Sequence, residues 1–262
     1  MGFWGNYSMK LSIIVTLKRG DQFRQDAFNN LMKCIEAQTM KDFELIIVED
    51  TGAQKTMSVE RISNHYTKLI PLTDIQNRPF NKSWCINVGA RAAKSDNLLI
   101  LDADVLFGKE YFDKIYDFAQ ECPCFFHCYS WIVLLPGRDN PVCRVSAHKN
   151  IHSTGGAWFV NKTFFFEKLG GMNENYFGYG REDSDLWVRV VYCLSSAASE
   201  LDYALTHQYH HWEVVSAKDN APYQKNCKLW DYTKNNTKEV IEKLKNSKLG
   251  DLKQPTLIEV NI

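Results

Sequence analysis

Residues 98–104 read Leu-Leu-Ile-Leu-Asp-Ala-Asp, an apolar run that ends abruptly in two carboxylates. A short apolar run bounded by polar residues is the pattern of a buried strand, and it puts Asp102 and Asp104 where that strand leaves its sheet. In open α/β sheets this edge is where ligands bind. Two acids one residue apart repel each other and lose solvation, so they need a compensating cation. A hard divalent ion carrying a polyphosphate meets that need through oxygen ligands. The plainer alternative is a solvated turn at a strand end, since aspartate is common in turns.

The residues before this point supply the rest of a sheet. Leu11–Thr16 and Phe43–Val48 read as strands, Leu69–Pro71 as a third short one, and Leu98–Leu101 as a fourth. A helix is expected over Gln25–Gln38, with Phe28, Leu31, Met32 and Ile35 at helical spacing. Val59–Tyr66 and Asn81–Lys94 read as further helices, the second with Trp84, Ile86, Val88 and Ala92 on its buried side. Strands alternating with helices imply an α/β fold with a mostly parallel, doubly wound sheet.

Beyond residue 108 the rhythm changes. A helix is expected over Glu110–Glu121, one or two strands within Cys124–Leu135, and a turn at Pro136–Pro141. His152–Trp158 reads as a loop, and Thr163–Leu169 as a helix stopped by Gly170–Gly171. Asp183–Cys193 reads as a helix with Leu186, Val190 and Val191 on one face. Residues 235–262 are Lys-rich and are expected to form a peripheral helix and tail. With no internal repeat or low-complexity linker, residues 1–262 read as one domain with halves at 10–108 and 109–234.

Composition narrows the class. Lys plus Arg and Asp plus Glu each total 31, so there is no basic excess of the kind a nucleic-acid binder shows. At 45% hydrophobic and 13% aromatic residues, the chain can bury a substantial core. No apolar stretch approaches the ~20 residues of a membrane span, which leaves peripheral membrane association open. Met1–Met9 lacks the basic start and apolar core of a secretory signal. The 8 cysteines are scattered without a disulfide-scaffold rhythm, so the expected setting is cytoplasmic, with reduced thiols. Cys122, Cys124, His127 and Cys128 crowd together but match no standard zinc spacing.

The first half has a nucleotide-binding layout without a phosphate loop: no Gly-rich fingerprint follows the first strand, and there is no Gly-Lys-Ser/Thr. A fold that holds a diphosphate without such a loop can use a metal instead, anchored by Asp102 and Asp104. Thr16 and Asp50 end the first two strands on the same edge. A carboxylate there can accept the imide N–H of a uracil, although ordinary turn and cap chemistry is equally open. In the second half, Glu182, Asp183 and Asp185 gather at a helix start, where the macrodipole favours carboxylates. Gly178 and Gly180 just before them permit close backbone approach to a ligand. The run Thr206-His-Gln-Tyr-His-His211 offers nitrogen ligands for a metal shell that two neighbouring carboxylates do not complete.

Taken together, Ser12-Ile-Ile-Val-Thr16, Phe43-Glu-Leu-Ile-Ile-Val-Glu-Asp50, Asn81-Lys-Ser, Asn87-Val-Gly and Leu101-Asp-Ala-Asp104 resemble a family 2 glycosyltransferase of the GT-A fold. The later string runs Gly155-Gly-Ala-Trp, Gly170-Gly171, Asn175-Tyr-Phe-Gly-Tyr-Gly-Arg-Glu-Asp-Ser-Asp185 and Arg189. It is similar to the C-terminal region of β-1,4-galactosyltransferases and chondroitin-polymerase-type enzymes. The resemblance implies roles at the matching positions. Thr16 and Asp50 would hold the uracil end of a UDP-sugar, with Lys82 on its pyrophosphate and Gly156 also on the donor. Asp102 would contact the ribose or metal, and Asp104 would bind Mn²⁺ (or Mg²⁺) directly. Asp183 would be the catalytic base, with Glu182 beside it, and Tyr179 a sugar platform where relatives often carry Trp. A His-x-x-His strand maps its metal-binding second histidine to His210, with His207 and His211 as the other candidates.

The implied reaction is metal-dependent, inverting transfer of a galactose, glucose or N-acetylhexosamine from a UDP-sugar to a glycan or glycoconjugate hydroxyl. Residues 10–108 would bind the nucleotide-sugar and 109–234 the acceptor. Two other readings stay open: a nucleotidyltransferase that makes a nucleotide sugar, and a non-catalytic sugar- or nucleotide-binding module. The first would need a glycine-rich basic loop, where Leu17–Asp21 offers one glycine. The second sits poorly with an intact acid set at 102, 104, 182 and 183.

Overall fold

The computed structural model describes residues 9–18, 20, 22–52, 67–73, 78–137, 143–147, 155–209 and 220–260. Four parallel strands form the expected core: β1 (Leu11–Lys18), β2 (Phe43–Gly52), β3 (Thr67–Thr73) and β4 (Asn97–Asp102) lie in the order β4-β1-β2-β3. The pleat sends alternate residues to opposite faces. Ile13, Val15, Leu45, Ile47, Leu99 and Leu101 pack against Phe28 and Leu31 of α1 (Gln22–Glu36) and Phe112 and Ile115 of α3 (Tyr111–Glu121). Ile14, Ile46, Val48, Leu98 and Ile100 pack on the other face against α2 (Lys82–Ala92). Because both faces are covered, these strands need continuous apolar runs, and that made them readable.

The sheet continues past β4 through β9 (Ala157–Asn161), β6 (Phe125–His127) and β10 (Ser199–Glu200). β9 is antiparallel to both its neighbours. A second, smaller sheet has the order β5 (Val105–Leu106), β11 (Ala204–His207), β7 (Trp131–Leu134), β8 (Arg144–Ala147). Among the described residues, no helix is long and apolar enough to cross a membrane. All 8 cysteines are free thiols.

Several expectations change in the structure. Val59–Tyr66 lies outside the described residues, as do 138–141 of the expected turn and 152–154 of the expected loop. Ala157 and Trp158, expected in that loop, belong to β9 instead. Thr163–Leu169 makes a single π-helical turn over Phe164–Lys168 rather than an α-helix. It cannot run on, because Gly170 and Gly171 turn at φ 80° and 78° directly under α6 (Thr237–Lys245). A Cβ on Gly170 would stand 2.7 Å from Leu244 Cβ.

α2 is not one-sided: every residue from Ser83 to Ala90 is buried. Its inner side presses so close to the sheet that a Cβ on Gly89 would meet Ile14 at 2.6 Å. Its outer side is covered by the chain after α6. Trp84 Nε1 donates to the Asp251 carbonyl at 2.5 Å, and Leu249 joins Val240, Leu244 and Ile258 in a small core of its own. Buried Glu174 fixes this strap, accepting from Asn87 Nδ2 and from the Gly250 N–H at 2.8 Å each.

α4 (Glu182–Leu194) is held by an ion pair with no solvent exposure. Arg189 donates to Asp185 Oδ2 at 2.9 and 2.6 Å and to the carbonyls of Leu169 and Gly171 at 2.5 and 2.6 Å. The other Asp185 oxygen accepts from Tyr176 and from Thr233 of α5 (Ala221–Asn235). Removing one partner of a fully buried pair leaves the other charge uncompensated. Arg189→Met is therefore expected to lose about 3–5 kcal/mol of unfolding free energy in urea titration. A loss under about 1 kcal/mol would mean this network does not anchor α4.

Candidate active site

The sheet brings the expected donor-side residues to one edge. Thr16 lies directly across from Asp102 in the β1–β4 register, and Asp50 lies across from Lys18 near the end of the neighbouring strand. Asp50 is buried and already engaged: its Oδ2 accepts from Arg78 at 3.0 Å and from the Asn81 N–H at 3.2 Å. Arg78 lies over the Trp84 ring, 4.8 Å from its centroid, and no sequence pattern marked it. The nearest sequence signal was its place just ahead of the Asn81 cap, whose side chain accepts from Trp84 N at 2.9 Å.

Asp102 and Asp104 turn to different partners. Asp102 Oδ2 accepts from the Gly156 N–H at 3.0 Å, and Oδ1 lies 2.7 Å from Lys82 Nζ. Asp104 stands in the tight turn between β4 and β5, with its Oδ1 3.6 Å from Nε2 of His207 at the end of β11. The histidine beside Asp104 is therefore His207; His210 and His211 lie outside the described residues. Among the described residues no three His, Cys, Asp or Glu side chains converge as a complete metal shell. Asp104 and His207, each with a side chain 17% exposed, form a two-donor beginning that suits a divalent ion completed by ligand oxygens.

Glu182 and Asp183 open α4 and reach the same edge from the second half of the chain. Lys82 Nζ joins them to it, 3.0 Å from Asp183 Oδ2 and 3.9 Å from Glu182 Oε1. Glycine at 155 makes this approach possible, since a Cβ there would stand 2.6 Å from Asp183 Oδ2. Tyr129 fixes Gly155 by donating to its carbonyl at 2.5 Å. Asp183 Oδ1 is buried without a hydrogen-bond partner, a condition that is uncommon for a buried polar atom. Lys82, expected on a pyrophosphate, is here bonded to carboxylates.

The turn that delivers the acid pair is wound through positive φ at Gly178, Gly180 and Arg181 (73°, 91° and 78°). Asn226 of α5 clamps it, its Nδ2 lying 3.0, 3.3 and 3.0 Å from the carbonyls of Phe177, Tyr179 and Gly180. Sequence reasoning missed Asn226 because α5 was not anticipated. Tyr179 is 64% exposed at the mouth and stacks on Tyr223, with centroids 5.9 Å apart.

Crowding these acids has an electrostatic cost. Burial first, and then the Asp183 charge, push the Glu182 carboxyl up to about 7, against the pull of Lys82. Burial likewise raises Asp102, with Asp183 and Asp104 adding and Lys82 opposing. Burial works against the charged form of Lys82, but Asp102, Asp183 and Glu182 together raise it well above its usual range.

Comparison with known proteins finds matches to two segments of the chain and to its fold. Residues 12–124 match a family model described as glycosyltransferase like family 2, and residues 145–212 match one described as N-terminal domain of galactosyltransferase. The fold matches a crystal structure of S. aureus TarS in complex with UDP-GlcNAc at a TM-score of 0.61 and 16% identity, covering 85% of this chain and 65% of that one. It also matches GalNAc-T7 with UDP, GalNAc and Mn²⁺ at a TM-score of 0.61 and 11% identity, covering 89% of this chain and 50% of that one. The chain has the GT-A fold, and its residues 12–124 are similar to the family 2 glycosyltransferases. An uncharacterized glycosyltransferase of Haemophilus influenzae is 34% identical over 94 residues, which are 36% of this chain and 30% of that protein. The chain thus aligns with less than a third of the length of that curated relative.

A pH dependence follows from the raised Glu182 carboxyl. Between its ordinary value of 4.5 and about 7 the folded state holds a proton that the unfolded state has released. Stability therefore falls as pH rises through that window. In Glu182→Gln the fall in thermal midpoint between pH 4.5 and 7 should shrink. An unchanged slope would show that Glu182 is not the group responsible.

Proposed function

We propose that this chain transfers a hexose from a UDP-sugar to a hydroxyl of a glycan or glycoconjugate, with inversion at the anomeric carbon. The observation that carries the reading is the meeting of two acidic arms at one sheet edge. Asp104 with His207 makes a cation-facing arm, and Asp183, with one free buried oxygen, makes a base-facing arm. Both matched crystal structures, TarS with UDP-GlcNAc and GalNAc-T7 with UDP, GalNAc and Mn²⁺, hold uridine nucleotides on this fold, which supports UDP as the nucleotide. Within the group named from the sequence, N-acetylhexosamine is the donor sugar those two share.

Asp104 and His207 would hold a divalent ion, with His210 a further ligand in the expected pattern. When bound, that ion supplies Lewis-acid charge to the departing diphosphate. The protein's own residues do the remainder. Thr16 and Asp50, with Arg78 fixing the Asp50 carboxylate, orient the base end. Asp102 is aimed at the sugar side by Gly156. Asp183 takes the acceptor proton as the hydroxyl oxygen attacks the anomeric carbon and the bond to the diphosphate oxygen breaks. Glu182 and Tyr179 line the acceptor side.

Three measurements test this. Release of UDP from a panel of UDP-sugars with Mn²⁺ should pick out one or two donors, and no release with any of them would remove the enzyme from consideration. Asp183→Asn should lower transfer by about 10²-fold or more while UDP affinity by calorimetry stays near native, since it removes the basic carboxylate and keeps the side chain's shape. Equal loss of both would make Asp183 structural. Asp104→Ala should abolish the Mn²⁺-dependent part of UDP binding; an unchanged Mn²⁺ response would move the ion elsewhere.

A further inference from the structure

Lys82 breaks a local rule. It is the first residue of α2, where the helix macrodipole disfavours a cation, and that first turn carries no acidic residue to offset it. Sites where local preference is overridden are expected to be functional, and here the compensation lies outside the helix. The ammonium is 2.7 Å from Asp102 Oδ1, 3.0 Å from Asp183 Oδ2 and 3.9 Å from Glu182 Oε1, with its side chain only 12% exposed. Three carboxylates on two different halves of the chain thus converge on one positive charge. An ammonium has three donors, and the two short contacts use two of them.

Each oxygen of Asp102 already carries a contact. Gly156 N–H takes Oδ2 and Lys82 takes Oδ1. A divalent ion that draws on Asp102 as well as Asp104 must therefore displace Lys82 or accept its repulsion. We infer that Lys82 is the resident cation of this cluster: a positioning residue that ties Asp102 to Asp183 before substrate arrives, and that competes with a divalent ion for the acidic edge. This deepens the reading of Asp183 as base and Asp104 as cation-facing, and rests on it.

The test uses Mn²⁺ alone, without nucleotide, titrated by calorimetry into the full chain. Lys82→Met keeps the aliphatic stem and removes the charge. Deleting the positive charge that contacts Asp102 should tighten Mn²⁺ binding at the same acidic edge on the order of tenfold. Lys82→Arg restores the charge and should stay within about twofold of native, the rescue that a role in packing alone would not give. Equal or weaker Mn²⁺ binding by folded Lys82→Met would overturn the inference, as would the absence of Mn²⁺ binding in every variant. If Lys82→Met does not fold, Lys82→Met/Glu182→Gln removes one charge of each sign. Its Mn²⁺ affinity should exceed that of Glu182→Gln alone, and equality there overturns the inference as well. UDP binding by the native chain, measured separately, judges the proposed function independently of this result.

Discussion

A carboxylate drawn out of water must meet a cation or several N–H donors, and this chain buries a row of them along one side of its sheet. Each has a different answer. Asp50 has Arg78 and a backbone N–H; Asp185 has Arg189, Tyr176 and Thr233; Glu174 has an amide and backbone N–H groups. Those three sites are saturated and behave as fasteners, joining α2, α4, α5 and the C-terminal strap to the sheet. The cluster of Asp102, Glu182 and Asp183 is different, because one ammonium serves three acids. Burial, and then the neighbouring Asp183 charge, raise Glu182 there, and one oxygen of Asp183 is left unmatched. Charge that is fully answered builds the scaffold, and charge that is half answered marks the site.

The scaffold explains how such a cluster persists. Its members come from rigid elements: the end of β4, the first turn of α2 and the first turn of α4. The only irregular piece is the turn before α4, where a non-glycine residue, Arg181, sits at φ 78°. Backbone in that region is held only when its surroundings over-determine it. Asn226 supplies that determination by reaching the carbonyls of Phe177, Tyr179 and Gly180 from α5, and a Cβ on Gly180 would stand 2.9 Å from the Tyr223 ring. α5 is thus a brace for the acid pair, although it contributes no acid of its own.

What was legible from sequence follows the physics of burial. The parallel strands show as unbroken apolar runs, and their ends gave Thr16, Asp50, Asp102 and Asp104 at one edge. α1 was readable because one face is wet. α2 was misread as one-sided because its outer face is covered by residues more than 150 positions later, a contact no local pattern encodes. β9 was hidden behind Gly155–Gly156, which look like loop residues and instead give Asp183 and Asp102 their space. α5 went unseen because its buried positions, Asn226, Leu229 and Thr233, include one apolar residue and so leave no apolar stripe. His207 and Lys82 were recognised as chemistry, but their partners lay in pairings that only the folded sheet creates.

The alternation of one strand end explains how Asp102 and Asp104, two positions apart, serve different ends. Asp102 is the last residue of β4, where its backbone N–H is still bonded to the Gly156 carbonyl at 2.9 Å, so its side chain is directed by the main sheet. Asp104 lies past the sheet, in a turn whose carbonyl accepts from Gln208 N at 2.8 Å, so its side chain is directed by the smaller sheet. The two carboxylates therefore belong to different rigid bodies of hydrogen bonds. One is committed toward Lys82 and α4, the other toward His207. In the proposed reading an ammonium on the first and a divalent ion on the second would stand in separate places, so the competition inferred for Lys82 is one of charge across a shared acidic edge.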